Sequence, residues 1–336
     1  SKAPIPHSEL GLLMAWGKMT ITETILKLGA QNHRLAQSIY RNYFSQEVQD
    51  RFGKYLDKHP LKDQITATLL ASLIVDTVGA TFFVRMLWDT GASEQEIIST
   101  FLTCYEMVGM DEIFRSLKKL DEPGNSKAFY QSLINASEGF EQLCRQVLFS
   151  RGLIENLGKS ADSLNSEIKE MLEHGDKLFF GKDKSHAHVA MALRKKGIED
   201  ALSIRIASLP FAGNCVDIAY LSRELNKPAS DVAKTYSTLR QQLHISDVAD
   251  KLINIEMRES AEERAFDQLR ADLRLSMKDL TAVTAKDYDL DASKFVKAKT
   301  SQVERLISTI TDLSINNLTL PEIFLVSRQL AALSRG

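Results

Sequence analysis

The chain has 336 residues, enough for two modest domains or one extended helical domain with a substantial core. Its 42 basic residues nearly balance 44 acidic ones, and a formal net charge of −2 leaves no global field to draw it toward nucleic acid or an anionic membrane. Only 7 prolines and 16 glycines punctuate the chain, and β-branched alternation is nowhere sustained, so the expected class is all-α, a multi-helix bundle joined by short turns.

The N-terminus, SKAPIPHSEL, carries no charged-then-apolar export signal, which sets the expectation of a cytoplasmic protein. Its abrupt start suits a segment excised from a longer chain. A first helix is expected from Ser8, where Leu12, Leu13, Trp16, Met19 and Ile25 recur at helical spacing. After Gly29, a charged stretch holding Tyr40, Tyr43, Phe44, Phe52, Tyr55 and Leu56 runs to His59-Pro60, and proline pushes the residue before it out of the helical region. One long helix is then expected from about Leu61 to Asp89, ended by Gly91. Its apolar run, Ile65 to Trp88, raises the question of a membrane span. Asp76 or Arg85 would cost about 2.5 to 3.5 kcal/mol at mid-bilayer, which favours a core helix. Ser93 with Glu96 spells a capping box for the next helix, with Ile97, Phe101, Tyr105 and Val108 on its apolar face. Gly109-Met110 then makes a turn before Ile113, Phe114, Leu117 and Leu120.

Further on, DEPGNS (121–126) reads as a turn and Ala128 to Leu148 as a helix. Gly175 to His188 has the composition of a loop pinned by Phe179 and Phe180, which divides the chain into an N-terminal helical unit (1–174), a loop boundary (175–190) and a second helical unit (191–336). A heavily charged helix over Ala261 to Thr281, a polar turn over Asp287 to Ser293 and a closing helix over Glu322 to Leu333, preceded by 316–321, complete the pattern. The two units are expected to be related. An offset of 135 (232 − 97) carries Ile97 onto Val232, Phe101 onto Tyr236, Val108 onto Leu243, Met110 onto Ile245, Ile113 onto Val248 and Leu117 onto Leu252. The same offset puts Gly91 on Asn226, which tolerates a left-handed backbone, and Ser93 on Pro228, which suits a helix start.

Chemistry is sparse in this pattern. No two glycines are adjacent or one residue apart, so the Gly-x-Gly-x-x-Gly turn of a dinucleotide-binding domain is missing, and no Gly-Lys pair has a glycine five positions before it, so the Gly-x-x-x-x-Gly-Lys phosphate loop is missing as well. Cys104, Cys144 and Cys215 are odd in number and embedded in apolar helical patterns, as buried free thiols would be. His186 and His188 are the only close histidine pair. They could share a metal on a strand but diverge on a helix, and no third ligand lies near them. Asp76 and Arg85 within an apolar helix suggest a structural ion pair, with each other or with another helix. Phe82, Phe83 and Trp88 read as core for at least two of the three, with a partner-binding patch as the alternative. Arg258 to Arg274 reads as a solvated charged face or an interface with further chain. No catalytic, cofactor-binding or metal-ligating residue is assigned.

Several segments carry a resemblance. Pro60 to Asp121, Ser8 to Lys18 (SELGLLMAWGK), Gly197 to Leu209 (GIEDALSIRIASL) and Pro321 to Leu333 (PEIFLVSRQLAAL) together, and in order, resemble the region that follows the dehydrogenase domain in the large NAD-specific glutamate dehydrogenases of bacteria. Ile198-Glu199 lacks the family's proline, and Cys144 to Leu148 replaces an aromatic-rich pattern. The resemblance implies a parent enzyme that oxidatively deaminates glutamate to 2-oxoglutarate, with NAD bound in the parent and no cofactor in this segment. It also implies a homo-oligomer and an upstream dehydrogenase domain of the same chain as partner. The segment itself would be a non-catalytic structural or regulatory module, with no nucleic-acid or membrane partner. Two competing readings are a free-standing all-α interaction scaffold and an all-α hydrolase built on His186 and His188.

Overall fold

A computed structural model describes residues 6–119, 126–149, 161–179, 185–252, 260–313 and 319–335. Every regular element among them is helical and none is a strand, so the fold is all-α with no Rossmann domain. The chain packs as two compact units, Ser1–Glu106 with Phe140–Lys159, and Met107–Gly139 with Ser160–Gly336.

In the first unit, α1 (His7–Leu28) ends where Gly29 adopts φ 72° and returns its N–H to the carbonyls of Ile25 and Leu26. The charged aromatic stretch forms α2 (Arg34–Tyr43) and α3 (Gln46–Leu56), tied by a 2.9 Å hydrogen bond from the buried Tyr40 hydroxyl to the Leu56 carbonyl. Both α1 and α2 pack on α4 (Lys62–Val78), burying Ile21, Ile25, Leu70, Ala71 and Ile74 completely. The single helix expected over Leu61 to Asp89 is two. After α4 the chain turns through Gly79, at φ 85°, and α5 (Phe82–Thr90) leaves at 74° to α4. Only glycine reaches that backbone geometry without strain, and the bend places Phe82, Phe83 and Met86 in the core. No single helix among the described residues is long and apolar enough to cross a membrane.

Gly91 closes α5 at φ 64°, and α6 (Glu94–Val108) starts with the expected box: the Ser93 N–H donates to Glu96 Oε2 at 2.7 Å, and the Glu96 N–H to Ser93 Oγ at 3.3 Å. Phe101 and Tyr105 of α6 meet Phe140 of α8 (Ser126–Phe149) edge-on, with centroids 5.4 and 6.1 Å apart. Neither Asp76 nor Arg85 is a buried charge. Asp76 is exposed, and the exposed Arg85 reaches across to Glu141 of α8 at 2.5 Å.

The second unit opens with Gly109 (φ 65°) ahead of α7 (Met110–Lys118). It continues through α9 (Ala161–Glu173), the single turn α10 (Gly175–Leu178), α11 (Ser185–Lys195), α12 (Asp200–Ser208) and α13 (Ala212–Leu225). Then follow α14 (Ala229–Gln242), α15 (Ile245–Leu252), α16 (Ser260–Asp287), α17 (Ala292–Ala298), α18 (Thr300–Leu313) and α19 (Leu320–Arg335). The stretch expected to be a loop therefore begins with a helical turn and ends inside α11. Phe179 is buried as expected of an anchor, while Phe180 lies outside the described residues, as do 121–125, 258–259 and 316–318 of the expected turns and charged segment.

Long α16 packs against α13, α14 and α19, and α12 against α9 and α11. Arg205 of α12 is buried and reaches Glu112 (3.0 Å), Glu173 (3.6 Å) and the Gly109 carbonyl (3.4 Å), while Lys169 also holds Glu112 at 2.9 Å. At the offset of 135, all six residues paired with the α6–α7 face are buried, and His244, opposite Gly109, takes φ 58° while Asn226, opposite Gly91, takes φ 51°. Both breaks thus share the left-handed backbone as well as the apolar phase.

Candidate functional site

His186 and His188 sit on α11, where residues two apart point to different sides. His186 turns inward and places its ring edge-on to Phe211, centroids 4.5 Å apart, whereas His188 is exposed. The pair therefore does not assemble, and no group of three or more potential metal ligands occurs among the described residues.

What His186 joins is a packed aromatic centre that the sequence reading did not assemble. Phe179 stacks on Phe211 at 5.5 Å and meets Tyr236 at 6.4 Å, and the buried Arg240 guanidinium lies 4.8 Å over the Phe211 ring. Burial, reinforced by Arg240 and Arg270 and opposed by the Ala207 backbone, lowers the His186 pKa to about 4, so the imidazole is neutral at physiological pH. Burial likewise pushes the Tyr236 phenol and the Cys215 thiol upward. Nearby, Arg274 of α16 donates to Asp217 of α13 and, at 3.2 Å, to the Gly213 carbonyl. Both partners of that ion pair are buried, which corrects the reading of Arg258 to Arg274 as a solvated face: Arg274, at its C-terminal end, is core, while Arg264 is exposed. Burial raises the Asp217 pKa against the opposing pull of Arg274 and Lys278. These groups are held neutral or paired inside aromatic and aliphatic packing, the chemistry of a specified interior.

An open cleft of about 500 Å³ lies between the α13–α14 and α16–α17 connections, lined by Lys227, Asp231, Lys234, Asp289 and Asp291 among others. Its charges largely serve one another. Lys227 pairs with Asp289 at 3.2 Å, and Asp291 accepts the Ser293 and Lys294 N–H groups as the cap of α17.

The least explained surface is the start of α1. Ile21, Thr24 and Ile25 are buried, but Leu10, Leu12, Leu13, Met14, Trp16 and Met19 are exposed, Trp16 at 61%. The sequence places these residues on a helix and gives no sign that three turns of it stand clear of the core. On α5, Phe82 and Phe83 are core and Trp88 is 77% exposed, so two of the three aromatics behave as expected of core and the third does not. Contiguous apolar exposure of this extent is the kind of surface that a protein, a membrane or a ligand can cover.

The chain resembles proteins that give this surface a context. It is 19% identical over 275 residues to the NAD-specific glutamate dehydrogenase of Halomonas elongata, 23% over 237 residues to that of Mycobacterium tuberculosis and 20% over 284 residues to that of Pseudomonas aeruginosa. These alignments cover 82%, 70% and 82% of this chain but 17%, 14% and 17% of the relatives' lengths, so the chain spans a small fraction of each. The family model described as "Glutamate dehydrogenase, C-terminal" matches residues 3–332, and with nearly the whole chain inside that match, the protein belongs to the family of glutamate dehydrogenase C-terminal domains.

Proposed function

We propose that this chain is a contact module of an NAD-specific glutamate dehydrogenase, a helical buttress or regulatory element that itself performs no step of glutamate oxidation. In this reading the dehydrogenase part of the same polypeptide binds NAD and glutamate and releases 2-oxoglutarate, ammonium and NADH. The C-terminal helices pack against that part and limit the opening of its cleft within a homo-oligomer. The observation that carries the reading is the exposed apolar start of α1. Six large apolar side chains on three turns are far more than an isolated helix end needs, and each leaves water when the surface is covered.

The test places Leu13→Asp with Trp16→Asp in the full-length enzyme and in the 336-residue chain. In the chain alone, where both residues already meet water, unfolding free energy should move by no more than about 0.5 kcal/mol. In the full-length enzyme, glutamate-dependent NAD reduction, oligomer size or thermal midpoint should fall. A full-length variant matching the parent enzyme in all three would overturn the reading.

A further inference from the structure

We propose that the free start of α1 is a helical plug, seated in an apolar groove of the dehydrogenase-bearing part of the full-length enzyme and covered there on two opposite sides. This inference rests on the docking role proposed above and adds the shape and chemistry of the partner. From Leu10 to Trp16 the chain reads LGLLMAW, with no charged, hydroxyl or amide side chain, and every residue of that run is exposed. The large side chains fall into two stripes. Leu10 and Met14 continue the line of Gly17, Ile21 and Thr24, at helical steps of four and three, and Ile21 and Thr24 are buried where α1 packs on α4. A side-chain carbon at Gly17 would come 3.1 Å from the Ala80 carbonyl oxygen, while one at Gly11 would meet nothing within 4 Å, so support from the rest of the unit ends between the two. Leu12, Trp16 and Met19 form the second stripe. Each stands two residues from Leu10, Met14 or Ile21, which at 3.6 residues per turn is about 200° round the helix. Met19 is 54% exposed although Ile21 is buried, so the second stripe faces away from the unit even where α1 is docked.

The two stripes select the partner. A helix lying on a membrane surface keeps one strongly polar face, and the run from Leu10 to Trp16 has none. A membrane span needs about 20 apolar residues, and the apolar run is bounded by Glu9 and Lys18. A two-fold pair of α1 helices would cover one stripe of each and leave the other in water. A helix that is apolar on opposite sides is a buried helix, and a groove in another polypeptide buries both sides at once. There is ample chain to form one: at least 83% (100 − 17) of the length of each of the three relatives lies outside the portion matched here.

Met14 and Met19 report on the two stripes without any substitution. The experiment exposes the 336-residue chain and the full-length enzyme to hydrogen peroxide for increasing times and follows methionine sulfoxide at each position by peptide mass spectrometry. Met86 and Met110, both fully buried, set the slow limit in each sample. In the chain alone Met14 and Met19 should oxidise quickly. In the full-length enzyme both should oxidise at least about tenfold more slowly, toward the rate of Met86. Slowing of only one of the two would overturn the two-sided groove and leave the docking role standing. Oxidation of both at the rate seen in the chain alone would overturn the groove and the docking role together. Two further results would overturn the choice of partner. Protection in the chain alone that grows with its own concentration would make the occupant a second copy. Protection by phosphatidylcholine–phosphatidylglycerol vesicles, with none in the full-length enzyme, would make it a membrane.

Discussion

Replacing Arg274 by methionine strips the guanidinium from Asp217 and leaves the carboxyl group fully buried between α13 and α16. An unpaired buried charge of this kind typically costs about 3 to 5 kcal/mol. The carboxyl has one escape, which is to take up a proton, and its folded-state pKa is already raised by burial. Staying neutral at pH 7 against an ordinary value of 3.8 costs about 1.36 × 3.2, or roughly 4 kcal/mol, so the loss saturates near that figure. The sign follows from linkage. Where the folded carboxyl is protonated and the unfolded one is not, stability falls as pH rises above 3.8, and the variant's deficit should shrink by up to about 1.4 kcal/mol for each unit of acidification from pH 7. Urea unfolding of the 336-residue chain at pH 7 and pH 5 measures both quantities. The double variant Asp217→Leu with Arg274→Met, which removes both charges, should recover most of the loss and all of its pH dependence. An Arg274→Met chain that loses less than about 1 kcal/mol, with the same deficit at both pH values, would refute the buried ion pair.

His186 titrates in the opposite sense. With its pKa lowered from 6.5 to about 4, it gives stability that is complete above pH 6.5 and is lost as pH falls toward 4, up to about 2.5 × 1.36, or roughly 3 kcal/mol. His186→Gln should flatten that portion of the pH–stability curve measured by chemical denaturation. His33, whose pKa burial also lowers, supplies a residual slope of the same sign in both chains. Gly175→Ala should destabilise by about 1 to 3 kcal/mol, because the added methyl would lie 2.0 Å from Ser208 Oγ and 2.7 Å from its Cβ. A melting temperature equal to that of the parent chain would show that α10 and α12 do not approach so closely. Ser93→Ala should cost about 1 kcal/mol by opening the capping box of α6, and Ser93→Thr, which keeps the hydroxyl, should recover most of it in the same denaturation assay.

The parts of the fold legible in the sequence are those set by local chemistry. Gly29, Gly91, Gly109 and Asn226 end or interrupt helices because a left-handed residue is needed there, and each does so at the position its type predicts. Ser93 with Glu96 works the same way. A second box of this kind stands at the start of α19, where the Thr319 N–H donates to Glu322 Oε2 at 2.6 Å. Gly79 is a harder case. It lies in an apolar run that continues without a phase change on either side, so periodicity alone gives a single helix, and the 74° bend shows only once Phe82 and Phe83 are seen to turn inward.

The misplaced residues share a different cause. Hydrophobic spacing states which face of a helix can be buried, and charge spacing which face can be solvated, but neither names the surface opposite. Arg274 belongs to a run of charges that reads as solvent-facing and is core because Asp217, 57 residues earlier, faces it. Trp16 and Leu13 belong to a run that reads as core and are exposed because no described helix covers the start of α1. One contact is long-range within the chain. The other, in the proposed reading, is made with residues beyond this sequence. Family membership rests on a match over residues 3–332, whereas the proposed docking role rests on the few apolar side chains left exposed at the start of α1. A variant that alters only those few, and leaves the unfolding free energy of the isolated chain unchanged, is therefore the perturbation that can report on the role without also reporting on the fold.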